Sequence, residues 1–498
     1  MNRLSSIVVI GGLLILASCS QEELTKTPQQ QGSMPISFRA GVATRVNPDH
    51  DYTKNPAAFY VSSYADNHKS DEGIIPEPLF WNEPFNLAGA NLYTSTSNQK
   101  WPENVNQIEF FAYAPSLEEI QAAAFTQLDP SAENYNVLIE NYRNTMQFFN
   151  LCDDGAALDP VNETNTFDDV TLNKGFKLGR FYVATDISKQ VDFITAHTVA
   201  PRPKDDDEAE LGIKLEFKHQ LSNIELRAFS NHPEYNIEIA GVRLGRPYTG
   251  DAMFNFCDVD GDVTAGGQWC FSKKPQRLPV EYIYSEGDTI YRMGVFNTVS
   301  GNEVVSTPVH TTPATATHIM GKGGNAMVLP TKNAAWSAEG NPWIAPEYAE
   351  TQGLKKPKEW NAETEGDMYF SILIRVTLRH ENNQITTKQV YPYVNSGMNI
   401  VYIEKEKNSG KVIGRSSKDA TAGTDNEIVE FGWAAVPVGV NWERGKKYIY
   451  TLDFSEGIGV QDPEDPRPGK PIIGEPVKFS VSVAGWDEQT LPFPIPNE

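Results

Sequence analysis

The segment Ile213-Lys-Leu-Glu-Phe-Lys-His219 alternates apolar and polar residues without a fault, and Val477-Lys-Phe-Ser-Val-Ser-Val483 repeats the pattern. A period of two puts Ile213, Leu215 and Phe217 on one face of an extended chain, with Lys214, Glu216 and Lys218 on the other. A helix would scatter the same residues around its circumference, so this segment has an apolar face only as a strand. The period recurs from Ile36 onward. Further strands are expected at 106–113, 180–185, 223–229, 236–244, 288–296, 369–378, 386–394, 399–404 and 447–454. Alternation of this kind belongs to antiparallel strands with one wet face, while the more continuously apolar runs 369–378 and 399–404 are expected near the middle of a sandwich.

Helix is scarce. Ser116-Leu-Glu-Glu119 is a capping-box pattern that opens a short helical run, Leu117 to Leu128, and a second short piece is expected near Pro346 to Leu354. Neither alternates with strands as βαβ units do, and no glycine-rich phosphate loop follows a strand, so doubly wound folds fit poorly. The Gly, Pro and Asn residues between strands suit β-sandwich connections. The expected fold class is therefore all-β. At 498 residues the chain is long enough for two domains. The segment Arg246–Pro279, rich in Gly and Asp, separates two strand groups, and the expected division is 34–245 and 246–498. The charged stretch Pro201–Glu208 reads as a solvated loop across which the flanking strands can pair.

Ahead of these domains, residues 1–18 read as a signal segment and 19–33 as a flexible tether. Arg3 supplies a positive charge before the apolar run Ile7–Ala17. That run is about ten residues, or roughly 15 Å as a helix, against a hydrocarbon core about 30 Å thick. It is too short to span and reads as a signal-peptide core. Leu16-Ala17-Ser18-Cys19 resembles the lipobox of bacterial lipoproteins, so cleavage before Cys19 and lipidation of its thiol are expected. The Glu22-Glu23 pair resembles the acidic signal that sends lipoproteins of the Bacteroidetes to the outer face of the outer membrane. Loss of residues 1–18 removes Arg3 and moves the formal charge from −23 to −24. A surface this acidic repels phosphate backbones, which excludes nucleic acid as an expected partner.

Candidate chemistry is thin. The eight histidines form neither HExxH nor HxH, no GxSxG elbow is present, and no cofactor or enzymatic activity is expected. His219, at the end of an amphipathic strand, reads as a structural hydrogen-bonding residue. Asp258, Asp260 and Asp262, with Gly261 allowing a turn, form the candidate calcium site. They lack the later glutamate and helices of an EF-hand, and a solvated turn is the other reading. Cys257 and Cys270 flank that turn. A disulfide between them would leave Cys152 unpaired, and two separate thiols are the alternative. Trp336, Trp343, Trp360, Trp433 and Trp442 are dispersed, which favours packing over a glycan platform.

Several pieces together resemble the fimbrillin family of Bacteroidetes, the subunits of type V pili. They are Pro35-Ile-Ser-Phe-Arg-Ala-Gly-Val-Ala-Thr-Arg45, Val191-Asp-Phe-Ile194, Leu215-Glu-Phe-Lys-His-Gln-Leu-Ser-Asn-Ile224, Met327-Val-Leu-Pro330 and Trp442-Glu-Arg-Gly-Lys-Lys-Tyr-Ile-Tyr-Thr-Leu-Asp-Phe454. The resemblance implies two transthyretin-like, Greek-key β-sandwich domains and a structural role as shaft, anchor or tip subunit. It also implies assembly by strand exchange. An arginine-specific protease removes the amino-terminal strand of a lipidated precursor, and a strand from another subunit fills the groove. In this sequence the cut would follow Arg45, before Val46, with Arg39 as the alternative, and Ile36, Phe38 and Ala40 would fill the groove. The donor would be Val477–Val483 or the tail Leu491–Glu498, whose three prolines suit a ladder poorly. Implied partners are other fimbrial subunits, the outer membrane through the lipid, and a host protein or glycan. The competing reading is a monomeric surface lipoprotein that binds glycans or host matrix.

Overall fold

The structure, a computed structural model, describes residues 31–42, 56–65, 77–89, 91–125, 131–146, 148–149, 176–245, 247, 252–256, 267–271, 279–293, 313–321, 324–330, 368–379, 385–393, 399–438, 440–462, 471–474 and 477–485. Cys19, Arg45, Cys257, Asp258, Asp260 and Asp262 lie outside these residues, as do the helix expected near Pro346–Leu354 and the Leu491–Glu498 tail.

The described chain is almost all β, and its sheets curl. One closes into a barrel whose strands run in the order Ile194–Pro201, Ile213–His219, Ser37–Val42, Leu92–Ser95, Phe80–Gly89, Ala58–Ala65 and Gln107–Ala114. Alternation does here what its period demands. Leu215, Phe217 and His219 are buried while Lys214, Glu216 and Lys218 are exposed. The inward residues, among them Phe38, Phe59, Phe85, Phe110 and Phe217, fill the barrel as one apolar cluster.

Beyond the barrel, a five-stranded sheet places Ser222–Phe229 beside Lys446–Asp453, with Lys478–Gly485 at its edge. A nine-stranded sheet runs Val280–Ile283, Tyr235–Gly245, Tyr369–Arg379, Asn426–Pro437, Val401–Glu406 and Val412–Ser416, with shorter strands off that path. The two sheets share a core that includes Ile224, Leu226, Ile239, Ile372, Ile374 and Tyr450. Curling of the larger sheet creates a second apolar cluster on its other face, around Leu373, Ile403, Phe431 and Trp433. A four-stranded sheet contributes to a third, aromatic cluster. There Phe148, Phe176, Phe254 and Trp269 pack with Phe111 and Tyr113 from the barrel wall.

Tyr369–Arg379 is central and nearly all buried, as its apolar run required. Val401–Glu406 is only one strand from an edge, and four of its six residues are partly exposed. The alternation of Val477–Val483 does not translate into a clean inner face. Its strand is an edge, and Val483 is 53% exposed. Two pairings are parallel, Ser37–Val42 with Ile213–His219 and Ser222–Phe229 with Lys446–Asp453, so the sheets are mixed. The charged Pro201–Glu208 stretch holds a short helix, Asp206–Glu210, because Asp205 caps it by accepting from Glu208 N at 2.9 Å. Ile194 and Thr195 do pair across it with His219 and Lys218. Ser116 opens Leu117–Phe125 as the capping box required. The helix Tyr135–Thr145 had no such signal and was not expected.

Candidate strand-exchange site

The Ser37–Val42 strand is a stave of the barrel, hydrogen-bonded on both sides. On one side it runs parallel to Ile213–His219, with Phe38 opposite Ile213 and Val42 opposite Phe217. On the other it runs antiparallel to Leu92–Ser95, with Phe38 opposite Tyr93. Pro35 has no N–H to donate, and the preceding short strand Gln31–Pro35 leaves the barrel to pair with Lys100–Pro102. Ile36 N then donates to Gln99 O at 2.8 Å.

Side chains divide by face. Ile36, Phe38 and Ala40 point inward and are at most 4% exposed, while Arg39 and Gly41 are exposed. Phe38 is wholly buried. Its ring meets Phe59, Phe85 and Phe110 edge-on at 5.9, 4.7 and 5.1 Å between centroids. Burying side chains the size of Ile36 and Phe38 stabilises by about 1.5–3 kcal/mol each. The strand is thus held by two ladders and an apolar plug.

Two features beside the strand were not anticipated. Ser37 Oγ donates to Ala209 O at 3.2 Å, which ties the strand to the Asp206–Glu210 helix. Gly212 ends that helix at a φ of +73°, where a Cβ would sit 3.2 Å from the Phe38 carbonyl carbon, so glycine admits the close approach. The available signal was Leu211-Gly212, a helix-stop pattern just before the alternating run.

The remaining candidate residues disperse. Arg39, paired with Leu92 and Lys214, lies inside the ladder. Val477–Val483 is engaged in the chain's own sheet, where residues 478–485 pair with 446–453 along their full length. Gln268–Phe271 carries Cys270 in a strand beside Ala252–Asn255. His219 Nδ1 lies 2.7 Å from Asp192 Oδ2, both buried, the structural contact expected of it. Trp442 donates from Nε1 to the Tyr450 hydroxyl at 3.0 Å, and Arg243 stacks over Trp433 at 4.5 Å, so both tryptophans serve packing. Among the described residues no group of three or more His, Cys, Asp or Glu could hold a metal ion. Among them, too, no helix is long and apolar enough to cross a membrane.

No protein-family model matches the chain, and no curated protein matches it. Among solved structures it is similar to a fimbrial protein from Bacteroides vulgatus ATCC 8482, at 12% identity, covering 90% of this chain and 99% of that one with a TM-score of 0.43. It is also similar to the tip fimbrial protein Mfa3 from Porphyromonas gingivalis with a C-terminal truncation, at 11% identity, covering 91% of this chain and 98% of that one with a TM-score of 0.27.

Proposed function

We propose that this chain is made as a precursor lipidated at Cys19 and held at the outer membrane, and that it becomes a subunit of a surface fimbria by strand exchange at the Ser37–Val42 position of the barrel. The observation that carries the reading is the place of that strand. It is the first stave in chain order, its inward residues plug the barrel, and Arg45 follows Val42 by three residues.

Cleavage after Arg45 would leave the stave attached by non-covalent contacts alone. Its departure would expose two unpaired edges, Ile213–His219 and Leu92–Ser95, together with the apolar interior. Unpaired edges are templates for another strand. A replacement strand from a second subunit with apolar residues at alternate positions would restore both ladders and the plug. Arg39 is the poorer cut, because its peptide is bonded into the ladder on both sides. The same reading moves the proposed domain division from Gly245 to Gln220–Leu221. Ser222–Phe229 and Tyr235–Gly245 both pair with strands from the carboxy-terminal half.

The test uses the full chain from residue 19 onward, treated with an arginine-specific protease and followed by mass spectrometry and mildly heated gels. The reading expects a cut after Arg45 and a ladder of multimers, both abolished by Arg45→Lys. Multimers that retain residues 31–45, or a ladder unchanged in Arg45→Lys, would refute it.

A further inference from the structure

The nine-stranded sheet curls until its end strands, Val280–Ile283 and Val412–Ser416, approach one another. Backbone ties them at one end of the seam. Gly287 N donates to Val412 O at 2.9 Å, Val412 N to Asp288 O at 2.6 Å, and Ile290 N to Gly410 O at 3.1 Å. Further along, the segment Thr185–Asp186 covers the outer edge of Val280–Ile283, with Glu281 N donating to Thr185 O at 2.5 Å and Asp186 bridged to Glu281. Among the described residues, no strand lies beside the facing edge, Ile413–Ser416. A cleft of about 670 Å³ remains there, between Thr185–Ser188, Glu281–Glu286 and Ile413–Arg415. That volume is in the range of natural ligand sites.

We infer that this cleft takes an extended peptide segment from a partner, its backbone laid along Ile413–Ser416 and a lysine or arginine side chain set among the cleft's carboxylates. Three observations converge on it. First, Val412 already exchanges backbone hydrogen bonds with the Gly287–Asp288 turn, so the edge is competent to accept a strand. Second, Gly414 lines the cleft, and a Cβ built there meets nothing within 4 Å, so no contact inside the molecule requires glycine. A glycine within a strand leaves room for another backbone to come close. Third, Asp186, Glu281 and Glu286 face one cation, Arg415, whose Nη2 is 2.8 Å from Glu281 Oε1. The excess of negative charge selects a basic ligand.

The test is fluorescence polarisation of labelled octapeptides on the uncut full chain: alternating Lys-Thr, alternating Glu-Thr, and alternating Lys-Thr N-methylated at every backbone nitrogen. The Lys-Thr peptide is expected to bind. The Glu-Thr peptide should bind at least about tenfold more weakly through charge repulsion, and the N-methylated peptide likewise through missing N–H donors. The double change Glu281→Gln and Glu286→Gln should weaken Lys-Thr binding by about tenfold, and Gly414→Val should weaken it by filling the open space, both at an unchanged melting temperature. No binding of Lys-Thr, equal binding of its N-methylated form, or binding indifferent to both sets of substitutions would overturn the inference. This cleft is remote from Arg45 in sequence and uses no part of the Ser37–Val42 stave, so its failure would leave the strand-exchange reading untouched.

Discussion

The Phe38 ring meets the Phe85 ring edge-on in the middle of the barrel, 4.7 Å between centroids and 81° between planes. The first of these residues belongs to the strand proposed for exchange, and the second to the wall that would receive its replacement. Their contact is therefore where the strength of the seal is set.

Phe38→Ala is expected to destabilise the chain by about 3–5 kcal/mol, as the removed ring leaves a cavity among Phe59, Phe85 and Phe110. Arg39→Ala, on the exposed face of the same strand, should change stability by no more than about 0.5 kcal/mol. Urea denaturation of both variants checks the pair. Equal losses would contradict the inward placement of Phe38.

Glu238 supplies an acid-sensitive element. It is buried and accepts hydrogen bonds from Arg292 Nε at 2.7 Å, Arg375 Nη1 at 2.8 Å and Lys405 Nζ at 2.8 Å. Burial pushes its carboxyl up, but Lys405, Arg292 and Arg375 outweigh burial and hold it at about 2, below the ordinary 4.5. A carboxyl depressed in the folded state contributes stability that is complete above its unfolded pKa and lost as pH falls through the folded one. Stability should therefore decline between about pH 4.5 and pH 2. Glu238→Gln should flatten that part of the profile. It should also cost about 3–5 kcal/mol at neutral pH, because Lys405 is left buried with a lost partner. Melting temperatures across the acid range would show both effects.

The Ser116 cap offers a local test. Ser116 N donates to Glu119 Oε2 at 3.0 Å and Glu119 N to Ser116 Oγ at 3.1 Å, a reciprocal capping box. Ser116→Ala is expected to cost about 1 kcal/mol, within the 0.5–2 kcal/mol range for cap loss. A chemical denaturation midpoint identical to that of the unmodified chain would argue against the box.

Glycines separate by what surrounds them. A Cβ at Gly245 would fall inside the ring of Tyr369, which is wholly buried, so Gly245→Ala should cost about 1–3 kcal/mol or more by overpacking. A Cβ at Gly41 meets nothing within 4 Å, and Gly41→Ala should leave stability unchanged or raise it by up to about 1 kcal/mol. Thermal melts of the two variants should move apart.

Strand character was legible wherever the period was clean. Ile213–His219, Ser222–Phe229, Tyr235–Gly245 and Tyr369–Arg379 lie within two residues of the expected strands. The candidate stave was legible too, since Ile36, Phe38 and Ala40 carry the inward alternation that their burial displays. Less legible was the edge strand Lys478–Gly485. Its alternation looks like a half-buried strand, yet an edge is covered on one side only, and Val483 remains exposed. The Asp206–Glu210 helix was hidden because a run of acidic residues reads as solvated surface unless its cap is recognised.

What the sequence determined by itself is the local geometry. It set which segments extend, which face each residue of Ile213–His219 presents, and where Ser116 starts a helix, because these depend on residues a few positions apart. Which strand lies beside which was decided only in the tertiary structure. Ser37–Val42 came to rest between Ile213–His219 and Leu92–Ser95, and Ser222–Phe229 beside Lys446–Asp453. The bonds that make those choices join backbone N–H and C=O groups, which are nearly the same at every residue and carry no address. Only the packing of rings such as Phe38 against Phe59, Phe85 and Phe110 distinguishes one neighbour from another, and those rings meet once the barrel has closed.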